Sequence, residues 1–168
     1  MPILENSTLP KKHIKFVFGD AGDYGEGAHF NFGGGRQVYH SRYSRDEGKE
    51  SSTFREISAV HDLFLSVPHL LENSSVVYTT DSLCCHTILM KSSRKMKLHE
   101  KAAACRSLAR SMTTELLTAW VPREYNQEAD DISKEVDWDS WGITKPFFNK
   151  VEKLFGKSFT LDAFADDR

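Results

Sequence analysis

The chain has 168 residues, 39% of them hydrophobic and 11% aromatic, which is enough apolar material for one substantial core but too little for several domains. A formal charge of −2 excludes a uniformly basic surface, so a nucleic-acid partner must be held by a local patch or through metal ions. No apolar run approaches the roughly 20 residues of a membrane span, and the first residues lack the pattern of a signal peptide, so we expect no membrane partner.

Three antiparallel strands are predicted to open the fold. Residues 1–13 are polar and are expected to form a flexible N-terminus. The run 14–18 predicts a strand that ends at Asp20, and a glycine-rich stretch leads into a second strand at 28–32. Three consecutive glycines then predict a turn into a third strand at 36–43.

A long helix and a buried strand are predicted next. Apolar residues recur at helical spacing over 54–67, which predicts a helix that carries Glu56. A threonine three residues before Glu56 completes a capping box, and capping is therefore an alternative role for this glutamate. The β-rich run 75–80 predicts a strand that ends at Asp81, and an N-cap of the predicted helix at 82–90 is the alternative role for that aspartate.

The last predicted elements of the main domain are a helix, a strand and a second helix. Apolar spacing predicts a long helix at 99–116, followed by a strand at 117–121 that a proline stops. A short helix at 126–134 carries Asp130 in its first turn, where the helix dipole favours acidic residues whatever their function. This order of elements predicts a mixed sheet with helices packed on its faces, in a domain of residues 14–134.

The chain changes character after residue 134. Residues 135–168 are rich in aromatic side chains, and a proline near the start and a glycine just past the end of their apolar stretch predict a short amphipathic helix. The apolar face of this C-terminal extension either packs on the main domain or forms an interface for another part of a larger polyprotein.

Four carboxylates fall at the ends of predicted strands or in the first turns of predicted helices: Asp20, Glu56, Asp81 and Asp130. This order brings them to one edge of a sheet, where like charges repel one another unless cations bind. We therefore expect a site that holds divalent cations against a phosphodiester, and oxygen ligands suit Mg²⁺ or Mn²⁺ better than zinc. The three cysteines match neither a zinc-ligand spacing nor a disulfide framework, so we expect reduced thiols and a location in the cytoplasm or the nucleus.

The segments around these carboxylates resemble the ribonuclease H domain that follows reverse transcriptase in retroelements. The resemblance rests on Phe18-Gly-Asp20-Ala-Gly, Phe54-Arg-Glu56-Ile-Ser-Ala-Val60, Tyr78-Thr-Thr-Asp81-Ser and Trp120-Val-Pro-Arg123-Glu-Tyr-Asn126-Gln-Glu-Ala-Asp130-Asp-Ile-Ser133-Lys. The last of these blocks is the most specific. Beyond it, the chain is similar to the segment after ribonuclease H in DIRS-type retrotransposons, which carry a tyrosine recombinase, at Asp139-Ser-Trp141-Gly-Ile, Phe155-Gly156 and Leu161-Asp162-Ala-Phe164-Ala165.

This resemblance implies both a fold and an activity. The fold is a mixed five-stranded sheet, with three antiparallel strands followed by parallel strands, and with helices on both faces. The activity is endonucleolytic hydrolysis of the RNA strand of RNA:DNA hybrids, with two Mg²⁺ ions, or Mn²⁺ in their place, bound by the four carboxylates Asp20, Glu56, Asp81 and Asp130. The expected partners are the hybrid and the reverse transcriptase domain of the same element.

Two sets of residues are expected to contact nucleic acid. The resemblance implies the first set, which is Ser82, Arg123 and Asn126. A short basic run in the sequence adds the second set, which is Lys91, Arg94, Lys95 and Lys97. The basic run, which the sequence continues to Lys101, is either a patch that contacts phosphates or an ordinary solvated face. Many relatives place a mobile histidine in the loop before the last carboxylate, whereas the loop here reads Pro122-Arg-Glu124-Tyr. We therefore expect proton delivery and product release to be slower than in those relatives or to depend on Glu124.

The main alternative is a catalytically silent or domesticated ribonuclease H-like module that binds nucleic acid or protein without cutting. The four intact acids argue against it, since one substitution would be enough to break the site. A four-carboxylate exonuclease is disfavoured because its first strand would carry two acids separated by one residue, and Gly22 stands two positions after Asp20. A transposase or integrase would order its acids differently, with a longer gap before the final glutamate.

Overall fold

The computed structural model describes residues 13–32, 35–134 and 153. The fold below lies in the first of the two units into which the chain divides, Met1–Glu135 and Val136–Arg168. The predictions of a flexible N-terminus at 1–13 and of a helical extension at 135–168 fall almost entirely outside the described residues, and both remain predictions.

Five strands form one mixed sheet. Their bounds are β1 His13–Ala21, β2 Gly25–Asn31, β3 Arg36–Arg42, β4 Ser74–Thr80 and β5 Glu115–Trp120. The strand order across the sheet is β3-β2-β1-β4-β5, with antiparallel pairing among the first three strands and parallel pairing of β4 with both β1 and β5. This order confirms the predicted ribonuclease H-like sheet, in which three antiparallel strands are followed by parallel ones.

Five helices accompany the sheet in the described residues. Their bounds are α1 Ser52–Ser66, α2 Pro68–Leu71, α3 Leu83–Lys91, α4 Met96–Ser111 and α5 Gln127–Lys134, with single 3-10 turns at Glu47–Lys49 and Arg123–Tyr125. The sequence patterns did not predict α2, a single turn that begins at a proline in its first position. None of the described helices has both the length and the apolar character needed to cross a membrane.

The helices lie on both faces of the sheet, as predicted. Side chains alternate along a strand, and in β2 Ala28 and Phe30 pack in the core with α1, whereas Gly27 lies beneath α5. A β-carbon placed on Gly27 would come within 2.5 Å of the backbone nitrogen of Ser133, so α5 approaches the sheet more closely there than a side chain would allow.

The main core lies between the sheet and the layer formed by α1, α3 and α4. It is built from strand and helix residues that are almost fully buried, among them Val17, Phe30, Ile57, Leu63, Phe64, Val76, Tyr78, Cys85, Ala102 and Cys105. The apolar periodicity of α1 places the core residues Ile57, Val60, Leu63 and Phe64 on one side of the helix. This core fixes α1 against β1 and thereby sets the position of the glutamate at its second turn.

The predicted long helix at 99–116 is wrong at both ends. The helix runs from Met96 to Ser111, and Leu116 belongs to β5. The helix ends because Thr113 adopts a left-handed backbone conformation with φ of 56°, and because the Thr114 N–H bonds the carbonyl of Ala109. Leu116 continued the apolar spacing in the sequence, and neither glycine nor proline marks the turn that separates it from the helix.

Candidate metal centre

Two carboxylates of the site come from the carboxyl ends of the parallel strands β1 and β4. Asp20 is the penultimate residue of β1, and Asp81 directly follows β4. The Ser133 hydroxyl of α5 donates a hydrogen bond to Asp20 Oδ2 at 2.7 Å. The Trp120 indole at the end of β5 donates to the Asp81 carbonyl at 2.9 Å. Neighbouring elements therefore hold both aspartates at one edge of the sheet.

The third carboxylate comes from α1. The N-cap of α1 is Ser51, whose hydroxyl accepts a hydrogen bond from the Phe54 N–H, so the interpretation of Glu56 as the partner in a capping box is wrong. Glu56 instead lies in the second turn and is 8% exposed. Its Oε2 atom has no hydrogen-bond partner among the described residues. The N-cap of α3 is likewise Ser82 rather than Asp81, so both acids are free for another role.

The structure brings Asp20, Glu56 and Asp81 together. One carboxylate oxygen from each lies within 4.8 Å of the others. Three converging carboxylates, with an unpaired buried oxygen on Glu56, form a set of hard oxygen donors that suits a divalent cation such as Mg²⁺ or Mn²⁺. The residues present therefore fit the metal ion that the resemblance implies.

The electrostatics of the three carboxylates also favour a cation. Burial and the charges of Asp20 and Asp81 raise the pKa of Glu56 to about 9. Burial is also the main cause that raises the pKa of Asp20, with smaller contributions from Asp81 and Asp130, against a hydrogen bond from Ser133. Glu56 is thus protonated at neutral pH without metal. Because a cation binds the ionised carboxylate, the affinity of the site for the cation should rise with pH up to about 9.

The fourth predicted ligand, Asp130, has other partners. It is 3% exposed, and its oxygens accept hydrogen bonds from Arg123 at 2.7 Å, Lys134 at 2.5 Å and Gln127 at 3.2 Å. Burial alone would raise the pKa of Asp130, but the bond from Lys134 and the charge of Arg123 hold it below its usual value. Among the described residues, Asp130 is not part of the group whose oxygens lie within 4.8 Å of one another.

The three residues expected to contact nucleic acid beside the site have different surroundings. Asn126 is 1% exposed and donates to the Gly19 carbonyl at 3.0 Å, so its side chain fastens β1 rather than facing solvent. Ser82 is half-buried and caps α3 by accepting from the Cys85 N–H. The side chain of Arg123, by contrast, is 68% exposed and pairs with Asp130.

The basic run lies around the connection between α3 and α4. Lys91, Arg94 and Lys95 are exposed there. Lys97 is engaged elsewhere, since its ammonium group lies 2.6 Å from both carboxylate oxygens of Glu50 and 4.7 Å from the centre of the Phe54 ring. The first three residues of the run are therefore better placed to contact a phosphate than the fourth.

Sequence reasoning missed three residues that position the carboxylates: Trp120, Ser133 and Lys134. Helical periodicity contained a signal for two of them, because Ser133 and Lys134 stand three and four positions after Asp130 and must share its side of α5. The contact from Trp120 depends on the pairing of β5 with β4, which places Trp120 beside Thr80. The order of residues along the chain does not reveal that pairing.

No family model matches the chain, and no curated protein matches it. Several solved structures resemble its fold. The RNase H1 of the halophilic archaeon Halobacterium salinarum NRC-1 is 15% identical with a TM-score of 0.46, and the match covers 71% of this chain and 92% of that one. The N-terminal RNase H domain of rv2228c from Mycobacterium tuberculosis is 17% identical with a TM-score of 0.48, covering 71% and 95%. LC11-RNase H1 in complex with an RNA/DNA hybrid is 18% identical with a TM-score of 0.46, covering 71% and 91%.

Proposed function

We propose that the chain is a metal-dependent endonuclease that hydrolyses the RNA strand of RNA:DNA hybrids. The observation that carries the proposal is the convergence of Asp20, Glu56 and Asp81 within 4.8 Å at the carboxyl edge of the parallel strands. These are three of the four acids that the resemblance to ribonuclease H assigns to metal binding. Mg²⁺ is the expected cation, and Mn²⁺ is the expected substitute.

The residues of the site have two different roles, metal binding and the positioning of the metal ligands. The three carboxylates bind the cation, while Ser133 and Trp120 fix the orientation of Asp20 and the backbone of Asp81. The chemistry that a bound Mg²⁺ supplies is a lowered pKa of water and neutralisation of charge on the leaving oxygen.

The proposed reaction needs no covalent intermediate on the protein. In the hydrolysis a bond forms between the water oxygen and phosphorus, and the bond from phosphorus to the 3′ oxygen breaks. A proton from the water ends on that oxygen, which gives a 3′-hydroxyl and a 5′-phosphate. The missing loop histidine leaves Glu124, exposed in the 3-10 turn before α5, as the acid available in that loop.

The cellular context is part of the same proposal. The sequence blocks around the four acids, and the segment after residue 134, favour the ribonuclease H part of a retroelement reverse transcriptase of the DIRS type, with the polymerase domain of that element as a partner. All three cysteines carry free thiols, two buried and one exposed, which fits a reducing compartment such as the cytoplasm or the nucleus.

The test is digestion of a labelled RNA strand within an RNA:DNA hybrid. We expect cleavage with Mg²⁺, none with chelator, and no cutting of a DNA duplex, because the cleaved strand must present 2′-hydroxyls. Asp20→Asn should abolish cleavage, whereas Asp46→Asn, which changes an aspartate whose side chain is 92% exposed, should not.

Two results would contradict the proposal. Equal cutting of the hybrid and the DNA duplex would remove the substrate assignment. Binding of hybrid without any cleavage would favour the alternative of a silent ribonuclease H-like module.

A further inference from the structure

Two basic side chains form ion pairs with Asp130, the fourth acid that the resemblance assigns to the site. The Asp130 side chain is 4% exposed, and each of its oxygens carries an ion pair: Oδ1 with Arg123 at 2.7 Å and Oδ2 with Lys134 at 2.5 Å. Gln127 donates a further hydrogen bond to Oδ2 at 3.2 Å. A metal ion at Asp130 would have to displace at least one of these pairs and then sit beside the displaced positive charge.

Arg123 also lies within the field of the other carboxylates. Its pKa is raised first by the charge of Asp130 and by their hydrogen bond, and further by the charges of Asp81 and Asp20. The guanidinium group therefore lies against Asp130 and within the electrostatic influence of Asp81 and Asp20. Because the Arg123 side chain is 68% exposed, its guanidinium group is accessible to a phosphate of a bound strand.

We propose that this chain holds one divalent cation, at Asp20, Glu56 and Asp81, and that Arg123 takes the place of a second one. Asp130, which Lys134 also holds in place, fixes the Arg123 guanidinium, which then contacts the phosphate of the bound strand. This inference rests on the proposed function and deepens it, since the resemblance implies two metal ions. When all four acids of the site are ionised, their negative charges are balanced by one doubly charged cation and the two basic side chains.

The test is to count bound cations, with Mn²⁺ as the probe and its electron paramagnetic resonance signal as the readout. The count is made with the protein alone and with the protein mixed with an RNA:DNA hybrid and frozen before cleavage. We expect the wild type to bind one Mn²⁺ per chain in both cases. The Arg123→Gln/Lys134→Gln variant should bind two, because Asp130 is then an unpaired carboxylate beside the first ion.

Arg36→Gln is the matched control. Arg36 pairs with Glu128, which lies on α5 like Asp130 but does not belong to the three converging carboxylates. This substitution should therefore leave the count at one. The single Arg123→Gln variant repeats the test if the double variant does not fold, and it should show a second Mn²⁺ of weaker affinity than the first.

Two Mn²⁺ ions or none in the wild type would overturn the inference, and so would a count of one in a folded Arg123→Gln variant. These counts do not depend on cleavage. A wild type that binds one Mn²⁺ and cuts no hybrid would instead contradict the proposed function, while one that binds two and cuts hybrid would contradict only the inference drawn from Arg123.

Discussion

At the scale of single residues, Asp81 offers the clearest separation of function from fold. It follows β4 as a half-buried residue, and its backbone carbonyl, rather than its carboxylate, accepts the bond from Trp120. The carboxylate of Asp81 raises the pKa of both Asp20 and Glu56 through its charge. An uncharged side chain of the same shape at this position would therefore relieve repulsion without removing a hydrogen bond that the fold uses.

We expect Asp81→Asn to abolish cleavage while it leaves the metal-free melting temperature unchanged or raises it. The variant should also lose the stabilisation that Mg²⁺ gives the wild type, because a ligand stabilises the native state only as far as it binds there. Cleavage assays and melting curves with and without Mg²⁺ measure both effects. Asp46→Asn serves as the control, and an Asp81→Asn protein that still cuts hybrid would refute the role given to this aspartate.

Glu26 is a second buried acid, which the proposed mechanism does not use. It is 2% exposed, its Oε1 accepts a hydrogen bond from the Tyr39 hydroxyl at 2.6 Å, and its Oε2 has no partner among the described residues. Burial raises the pKa of Glu26 to about 7, and the charges of Asp62 and Glu47 act in the same direction. Tyr39 and Lys101 act in the opposite direction.

This raised pKa makes the folded state less stable as pH rises. Between the unfolded value of 4.5 and about 7 the native state binds more protons at Glu26 than the unfolded chain, so the contribution is complete at low pH and is lost as pH passes 7. Glu26→Gln cannot titrate. We expect the free energy of unfolding of Glu26→Gln, measured in urea, to rise by roughly 3 kcal/mol relative to that of the wild type between about pH 4.5 and pH 8. A pH-independent difference between Glu26→Gln and the wild type would contradict the assignment.

At the scale of helices and strands, periodicity predicted the strands of the sheet and α1, because each carries an apolar or β-rich run between turn residues. The sequence placed α5 after the proline that stops β5. It could not predict details that depend on tertiary contacts. The end of α4 is set by a left-handed threonine, and the cap of α1 is Ser51 rather than the threonine of the apparent capping box. Within the site, three acids meet as expected from their positions at one sheet edge. The ion pair of Asp130 with Arg123 was not expected, since it depends on the path of the chain into α5, whereas the pair with Lys134 follows from the spacing of four residues on one helix.

The close approach of α5 to β2 gives a prediction at this scale. A methyl group at position 27 would lie 2.5 Å from the backbone of Ser133 and 2.7 Å from the Ile132 side chain, so Gly27→Ala should push α5 away from the sheet. We expect a loss of about 1–3 kcal/mol in unfolding free energy and weaker Mg²⁺ binding, because Ser133 holds Asp20. Gly48→Ala is the control, since its nearest neighbour would be 3.9 Å away. Equal stability of the two variants in urea would contradict this account.

At the scale of the whole molecule, basic residues are unevenly distributed although the net charge is only −2. Four basic residues cluster around the connection between α3 and α4, and within the described part of the chain only Lys97 among them lies against a carboxylate, that of Glu50. If the other three bind phosphates, the affinity for hybrid should fall with salt in proportion to the number of phosphates that they neutralise.

We therefore expect replacement of Lys91, Arg94 and Lys95 by alanine to reduce the slope of log affinity against log salt by roughly 0.9 for each phosphate that the variant no longer neutralises. Lys97→Ala should change the slope less, because its charge is already neutralised by Glu50. Filter binding of an uncleaved hybrid across a salt series gives the slopes. Identical slopes for the triple variant and the wild type would assign this run to an ordinary solvated face.

The bond between Ser133 and Asp20 joins residues that are 113 positions apart, and Asn126 reaches Gly19 across 107 positions. On the ribosome, β1 and its aspartate emerge long before α5 exists, and the exit tunnel delays α5 further. A nascent chain that has folded its strands therefore still lacks the elements that hold its first carboxylate in place. The metal site should therefore form only after translation has passed α5, so metal binding by the nascent chain reports the completion of this last helix.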